Sequence, residues 1–231
     1  YSVSMLPKGE IKKRLGDVLF DVVVSAKTKD GYPYVEPSDL EQIQMIRRGA
    51  DEKYPYDKNK LDDKIYGAWL GRICGCMLAA TTNSIEEIIS GGLAEIPQTS
   101  RLYESVMSIL DSYKSGVSEQ NCFKMIHEKY DEHSGHDWCH TISNAMIVVA
   151  ALLYGEGDFS KSICMAVETG FDTDCNGATV GSILGMANGK ETISEAWSAP
   201  INNKLHTSIF GVGTVNISDC VEKTLSHIEN S

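Results

Sequence analysis

From residue 62 to the C-terminus, apolar residues return at helical spacing in run after run, and most runs open or close on a helix-terminating residue. Ser84 and Glu87 stand three apart ahead of "IEEIISGGL". That is a capping box, in which a hydroxyl and a carboxylate satisfy orphan N–H groups. Thr99 or Ser100 precedes "RLYESVMSILDSYK", whose Leu102, Val106, Ile109, Leu110 and Tyr113 share one face. Gly116 closes that run. Ser118 opens "EQNCFKMIHEKY", with Cys122, Phe123, Ile126 and Tyr130 inward. "WCHTISNAMIVVAALLYG" is apolar over most of its length and predicts a central, buried helix. "FSKSICMAVETG" and "GATVGSILGMANG" follow, and "SDCVEKTLSHI" predicts a short amphipathic helix. No period-two alternation is legible after residue 60. The expected fold class is all-α, a compact multi-helix domain over 61–231 behind a partly helical extension over 1–60.

Within the extension, "LGDVLFDVVVSA" reads as a helix or a short strand. "KDGYPYVEPSD" and "DEKYPYDKNK" read as loops, separated by a short helix capped by Ser38 and Glu41. Further on, Gly67, Gly71 and Gly75 lie four apart, and Gly177, Gly181 and Gly185 repeat that spacing. Steps of four drift only about 40° each on a helix, so each set shares a face. Two such helices can pack backbone to backbone.

The chain carries 32 Asp+Glu against 21 Lys+Arg, a net charge of −11. That excludes unaided nucleic-acid binding, which needs a basic footprint, but leaves room for a small anionic ligand in a pocket. Seven cysteines without a C-x-x-C pair point to free thiols in a reducing, cytoplasmic compartment. No run reaches the roughly 18 apolar residues of a membrane span. The chain begins at Tyr1 rather than Met, so an upstream piece processed or left out is expected.

The chemistry concentrates in "FDTDCNGATVGS", residues 171–182. Its first half is D-x-D-x-N-G, which opens a calcium loop, and its second half opens a helix at Gly177. The calcium reading needs a bidentate Glu at the twelfth position, where Ile183 stands. A helix cap accounts for one carboxylate. A second carboxylate two residues away, between apolar runs, calls for a positive partner, and a hard cation with oxygen ligands would supply it. "HSGHDWCH" holds His133, His136, Cys139 and His140, zinc-like in type but without a second ligand pair. Polar residues at a helix start account for it more simply. Cys139 beside a histidine also suggests a thiol nucleophile, with no third group to orient it.

"ETGFDTDCNGATVGSILGMANG" resembles the C-terminal signature of the ADP-ribosylglycohydrolase family, and "IYGAWLGRICGCML" resembles its N-terminal glycine helix. "HTISNAMIVVAALLYGEGDFSKSICMAVETG" is similar to the long helix and connector before that signature. "EIPQTSRLYESV" is similar to the branch with Cys-Asn-Gly-Ala after the aspartates. The resemblance spans residues 62 to 229. It implies an all-α fold and a pair of Mg²⁺ ions. The implied reaction is hydrolysis of ADP-ribosyl linkages, N- or O-glycosidic, in small-molecule or protein-linked ADP-ribose. It implies Asp172 and Asp174 as metal ligands, and Thr173, Asn176, His140 and Asn144 as residues facing the substrate. The helix N-terminus at Gly177 would lie beside a ligand oxygen. Cys175 falls where many members place a threonine that also helps bind metal, and a thiol suits a hard cation poorly.

Upstream the chain departs from the family. Cys76 follows Gly75 where an Asp is common, and no Thr-Asp-Asp block occurs. After Leu78 the chain passes into "AATTNSIEEIISGGL", which resembles a region well beyond that block. A middle segment is therefore expected to be missing near Ala79 or Ala80, either lost from the natural chain or left out of the sequence. The competing expectation is a catalytically inactive relative that binds a partner or serves a structural role.

Overall fold

The computed structural model describes residues 9–27, 29–35, 37, 40–46, 82–209 and 211–229. The glycines at 67, 71 and 75, the Asp62–Asp63 pair, Ser38 and the expected junction at Ala79–Ala80 lie outside the described residues. The chain falls into two compact units, Tyr1–Tyr34 and Val35–Ser231.

The first unit contains helix α1 (Glu10–Ser25), so the ambiguous apolar run is helical. In the second unit Val35 is pinned to the turn that precedes Arg101. Its N–H donates to the Thr99 carbonyl at 3.0 Å, and the Thr99 hydroxyl donates to its carbonyl at 3.3 Å. Helices α2 (Leu40–Ile46), α3 (Ile85–Ala94), α4 (Arg101–Lys114), α5 (Glu119–Lys129), α6 (Thr141–Gly155), α7 (Phe159–Glu168) and α8 (Thr173–Asn188) follow, then a short α9 (Glu195–Ser198) and α10 (Ile217–Glu229).

The caps fall where the sequence places them. The hydroxyls of Ser84, Ser100 and Ser118 accept from the N–H three residues on. Glu87 does not reach back to complete its capping box; its carboxylate accepts from the Thr82 hydroxyl instead. Gly116 ends α4 at φ +74°, where a Cβ would be strained.

Helix α6 is the centre of the second unit and packs against α3, α4, α5, α7 and α8. Its Met146, Ile147, Ala150, Ala151, Leu152 and Leu153 are all buried, as an all-round apolar helix requires. Truncating Ile147, fully buried, removes about 2–5 kcal/mol. Helices α6 and α7 turn back tightly through Glu156 (φ +55°) and Gly157 (φ +83°). A Cβ on Gly155 would meet the Ser162 Oγ at 1.8 Å and its Cβ at 2.8 Å. Gly177 faces α7, its Cβ position 3.0 Å from Val167 Cγ2.

The helical class holds, with two local differences from the sequence reading. A two-stranded antiparallel ladder joins β1 (Lys204–His206) to β2 (Thr214–Asn216), with Leu205 opposite Val215. Three residues per strand are too few for alternation to show; side-chain bonds such as Lys204 to Asn216 tie the strands. Helix α8 also begins at Thr173, not Gly177. Asp and Thr are favourable in a first turn, where N–H groups are unsatisfied, so the Asp-Thr-Asp run starts the helix itself.

Candidate functional site

The approach to α8 is a sharp corner. Gly170 has φ +88° and Phe171 φ +59°, a left-handed conformation that side chains adopt at a cost of order 1 kcal/mol or more. Burial holds Phe171 there: its ring lies 5.1 Å from that of His127 and 6.1 Å from that of His136. His127 in turn bonds Thr169 through Nε2 at 3.1 Å. The corner delivers Asp172 to the N-cap of α8 and Asp174 to its first turn.

Asn144, on the first turn of α6, locks this corner. Its Oδ1 accepts from the Asp172 N–H at 3.2 Å and from the Asn176 side-chain amide at 2.7 Å. Its Nδ2 donates to the carbonyls of Trp138 at 2.8 Å and His140 at 3.0 Å. All four bonds fit one orientation of the amide. One side chain thereby ties the start of α6 to the start of α8.

Asp172 occupies an N-cap, yet its carboxylate accepts no capping bond. The carboxylate oxygens of Asp172 and Asp174 and the Sγ of Cys175 lie within 4.8 Å of one another. Asp172 and Cys175 are half-buried and Asp174 is exposed. None of the three side chains has a hydrogen-bonding or ionic partner among the described residues. Like charges at this range disfavour ionisation unless a positive group stands near them.

Beside them opens a cavity of about 500 Å³ between α3, α4, α6 and α8. Ile88, Leu93, Val148 and Leu152 help form its apolar wall; Asp172, Asn144, Asn176, Thr141, Cys139 and Cys175 form its polar part. Asn176 is 3% exposed and bonded to Asn144. Thr173, Asp174 and His140 are not among the lining residues. His140 caps α6 instead, its Nδ1 accepting from the Ile142 N–H at 3.2 Å, which leaves the ring proton on Nε2. Its ring lies 5.0 Å from that of His136. The Ser143 hydroxyl donates to the His140 carbonyl, so His136 Nε2 donates to Ser143 at 3.0 Å. Among the described residues His133, His136, Cys139 and His140 form no metal-capable group. Partial desolvation, then the charge of Asp137, pushes the Cys139 thiol above its ordinary value; Asp172, Cys175 and Asp174 add to this. That is the opposite of what a thiol nucleophile needs.

The family model for ADP-ribosylglycohydrolase matches residues 77–213, more than half of the chain. The chain belongs to the ADP-ribosylglycohydrolase family. No curated protein and no solved structure matches it. The matched span takes in every cavity-lining residue and the Asp172–Cys175 cluster of this ADP-ribosylglycohydrolase-family chain. The Mg²⁺ pair that the resemblance implies can be tested against the donors. Mg²⁺ takes six oxygens in near-ideal octahedral geometry, often one or two carboxylates plus water. The described residues offer two carboxylates and one thiol from a single helical turn. Among the described residues this donor set does not supply the oxygen ligands of two Mg²⁺ ions, and it places sulfur where a hard ion wants oxygen.

Sequence reasoning named Asn144 for a ligand-facing role but not as the brace between α6 and α8. It passed over Thr141 and Phe171. The brace spans 28 and 32 residues, and no local pattern encodes such a separation.

Proposed function

We propose that this chain hydrolyses an ADP-ribosyl linkage, N- or O-glycosidic, in a small-molecule or protein-linked substrate, with the Asp172–Asp174 turn as its reaction centre. The observation that supports this is the unspent carboxylate of Asp172 at the polar end of a largely apolar cavity. The apolar wall suits a flat base and excludes water. The polar part suits a ribose, whose hydroxyls donate to carboxylate oxygens. Asn144 holds the turn rigid, so the carboxylates need no reorganisation when the sugar arrives. Hydrolysis adds water across the bond at the anomeric carbon: the oxygen joins that carbon, and the departing atom gains a proton. In this reading Asp172 and Asp174 hold a single divalent cation and Asn176 and Asn144 line the ligand's pocket, while Thr173 and His140 act through the helix starts they form.

A second reading is a relative that binds ADP-ribose without turnover. It is favoured by the donor set, which comes from one helical turn among the described residues. The two separate in one experiment. Arginine- and serine-linked ADP-ribosyl peptides are incubated with the protein, with and without chelator, and released ADP-ribose is measured by mass spectrometry. Release that stops with chelator and falls at least about 100-fold in Asp172→Asn supports the hydrolase. Saturable binding of ADP-ribose without release supports the second reading. Neither release nor binding sinks both.

A further inference from the structure

We infer that helix α1 is a self-association surface, on which a second copy of this chain lays its own α1 antiparallel. Ile11, Leu15, Val18 and Val22 follow one another at steps of four, three and four. That is the spacing of a coiled-coil seam, which keeps one stripe facing one partner helix. All four are exposed, from 41% at Leu15 to 75% at Ile11, and Leu19 beside them is 49% exposed. A 16-residue helix is marginal in water on propensity alone and draws its stability from packing an apolar face. Gly16, Val18 and Val22 lower that propensity further. Such a stripe on an otherwise charged helix marks a contact surface.

Charge decides the occupant. Arg14 and Asp21 lie along the same edge of the seam, two turns and about 10 Å apart. Two-fold antiparallel pairing sets Ile11 over Val22 of the other copy, and Leu15 over its Val18. The same symmetry sets Arg14 of each copy against Asp21 of the other. On the opposite edge Lys12 of each copy meets Leu19 of the other, its methylene stem covering apolar surface. Parallel pairing would instead bring the basic run from Lys12 to Arg14 of both copies side by side and would leave no Arg14–Asp21 pair. A lipid surface is a poorer match. Helix α1 carries three basic and three acidic side chains, where an interfacial helix is rich in Lys and Arg on its polar face.

The test is the mass of the full chain in solution. Four apolar layers make a small interface, so sedimentation velocity between about 1 and about 300 µM should show a reversible monomer–dimer equilibrium. Val18→Asp puts a charge into two layers by symmetry and should abolish the dimer. Asp21→Arg sets an arginine against Arg14 twice over and should weaken dimerisation roughly tenfold. Arg14→Asp combined with Asp21→Arg leaves the apolar seam intact and should return the affinity to within about threefold of the unaltered chain. A chain that stays monomeric throughout overturns the inference, whether or not it binds vesicles of anionic lipid. A dimer that persists in Val18→Asp overturns it as well, since the contact then lies elsewhere. So does a dimer that the double exchange fails to restore, because antiparallel pairing of α1 requires the two charges to face each other.

Discussion

Helices α7 and α8 both begin on an aspartate, and the two aspartates are used differently. At the start of α7, Asp158 Oδ1 accepts from the Lys161 N–H at 2.6 Å, an ordinary N-cap. At the start of α8, Asp172 stands in the equivalent place but its carboxylate makes no capping bond. The corner before it explains the difference. Left-handed Gly170 and Phe171 bring the chain in with Asp172 at ψ +72°, where Asp158 has ψ +122°. Asn144 then takes the Asp172 N–H. One aspartate stabilises its helix; the other is held available beside a cavity.

The sharpest way to break this comparison is to remove each carboxylate in turn. Asp172→Asn should abolish cation-dependent stabilisation and lower any hydrolysis by at least about 100-fold. Its cation-free melting temperature should stay within error of wild type, since no cap is lost. A cation-induced melting shift that survives the change would remove Asp172 from the ligand set. Next in size, Asn144→Ala strips partners from the buried Asn176 amide and three backbone groups. A loss of about 2–3 kcal/mol is expected, measured by urea unfolding, together with weakened cation binding. A fall in stability without any change in cation affinity would show that the brace serves the fold alone.

Asp158→Ala should behave as the mirror image of the first variant. It should cost about 1 kcal/mol through the lost cap and leave cation binding untouched. The comparison collapses if Asp172→Ala shows the same loss. The smallest effect concerns Tyr154, whose hydroxyl donates to the Val117 carbonyl at 2.7 Å. Burial, then the neighbouring Cys122 thiol, pushes its phenol up to about 12 from its ordinary 10. The folded state therefore holds this proton more tightly than the unfolded chain. Its contribution to stability is complete below pH 10 and is lost as pH rises through about 12. Tyr154→Phe should flatten the alkaline limb of a melting-temperature profile in that window; an unchanged limb would assign the slope to other groups.

The same contrast marks what could be read in advance. Ser84, Ser100 and Ser118 were legible as caps because each acts on an N–H three residues away. The stripe of Leu102, Val106, Ile109 and Leu110 was legible because helical periodicity is a local property. The hairpin at 204–216 was not, its strands being three residues long and largely exposed. His140 shows the limit from the other side. Its position pointed to the site, but its ring nitrogen satisfies the helix it begins.

By itself, then, the sequence determined the helical class, the buried character of α6, the cap positions and the presence of two aspartates around a threonine. Each follows from interactions within about four residues, the reach of a helical turn. The tertiary structure alone decided that Asp158 caps while Asp172 does not. It also placed Cys175 with the two aspartates, and Asn144 as the brace from α6 to α8. Those outcomes depend on how one helix end meets another after the core has packed. That geometry is set by the summed fit of side chains far apart in the chain.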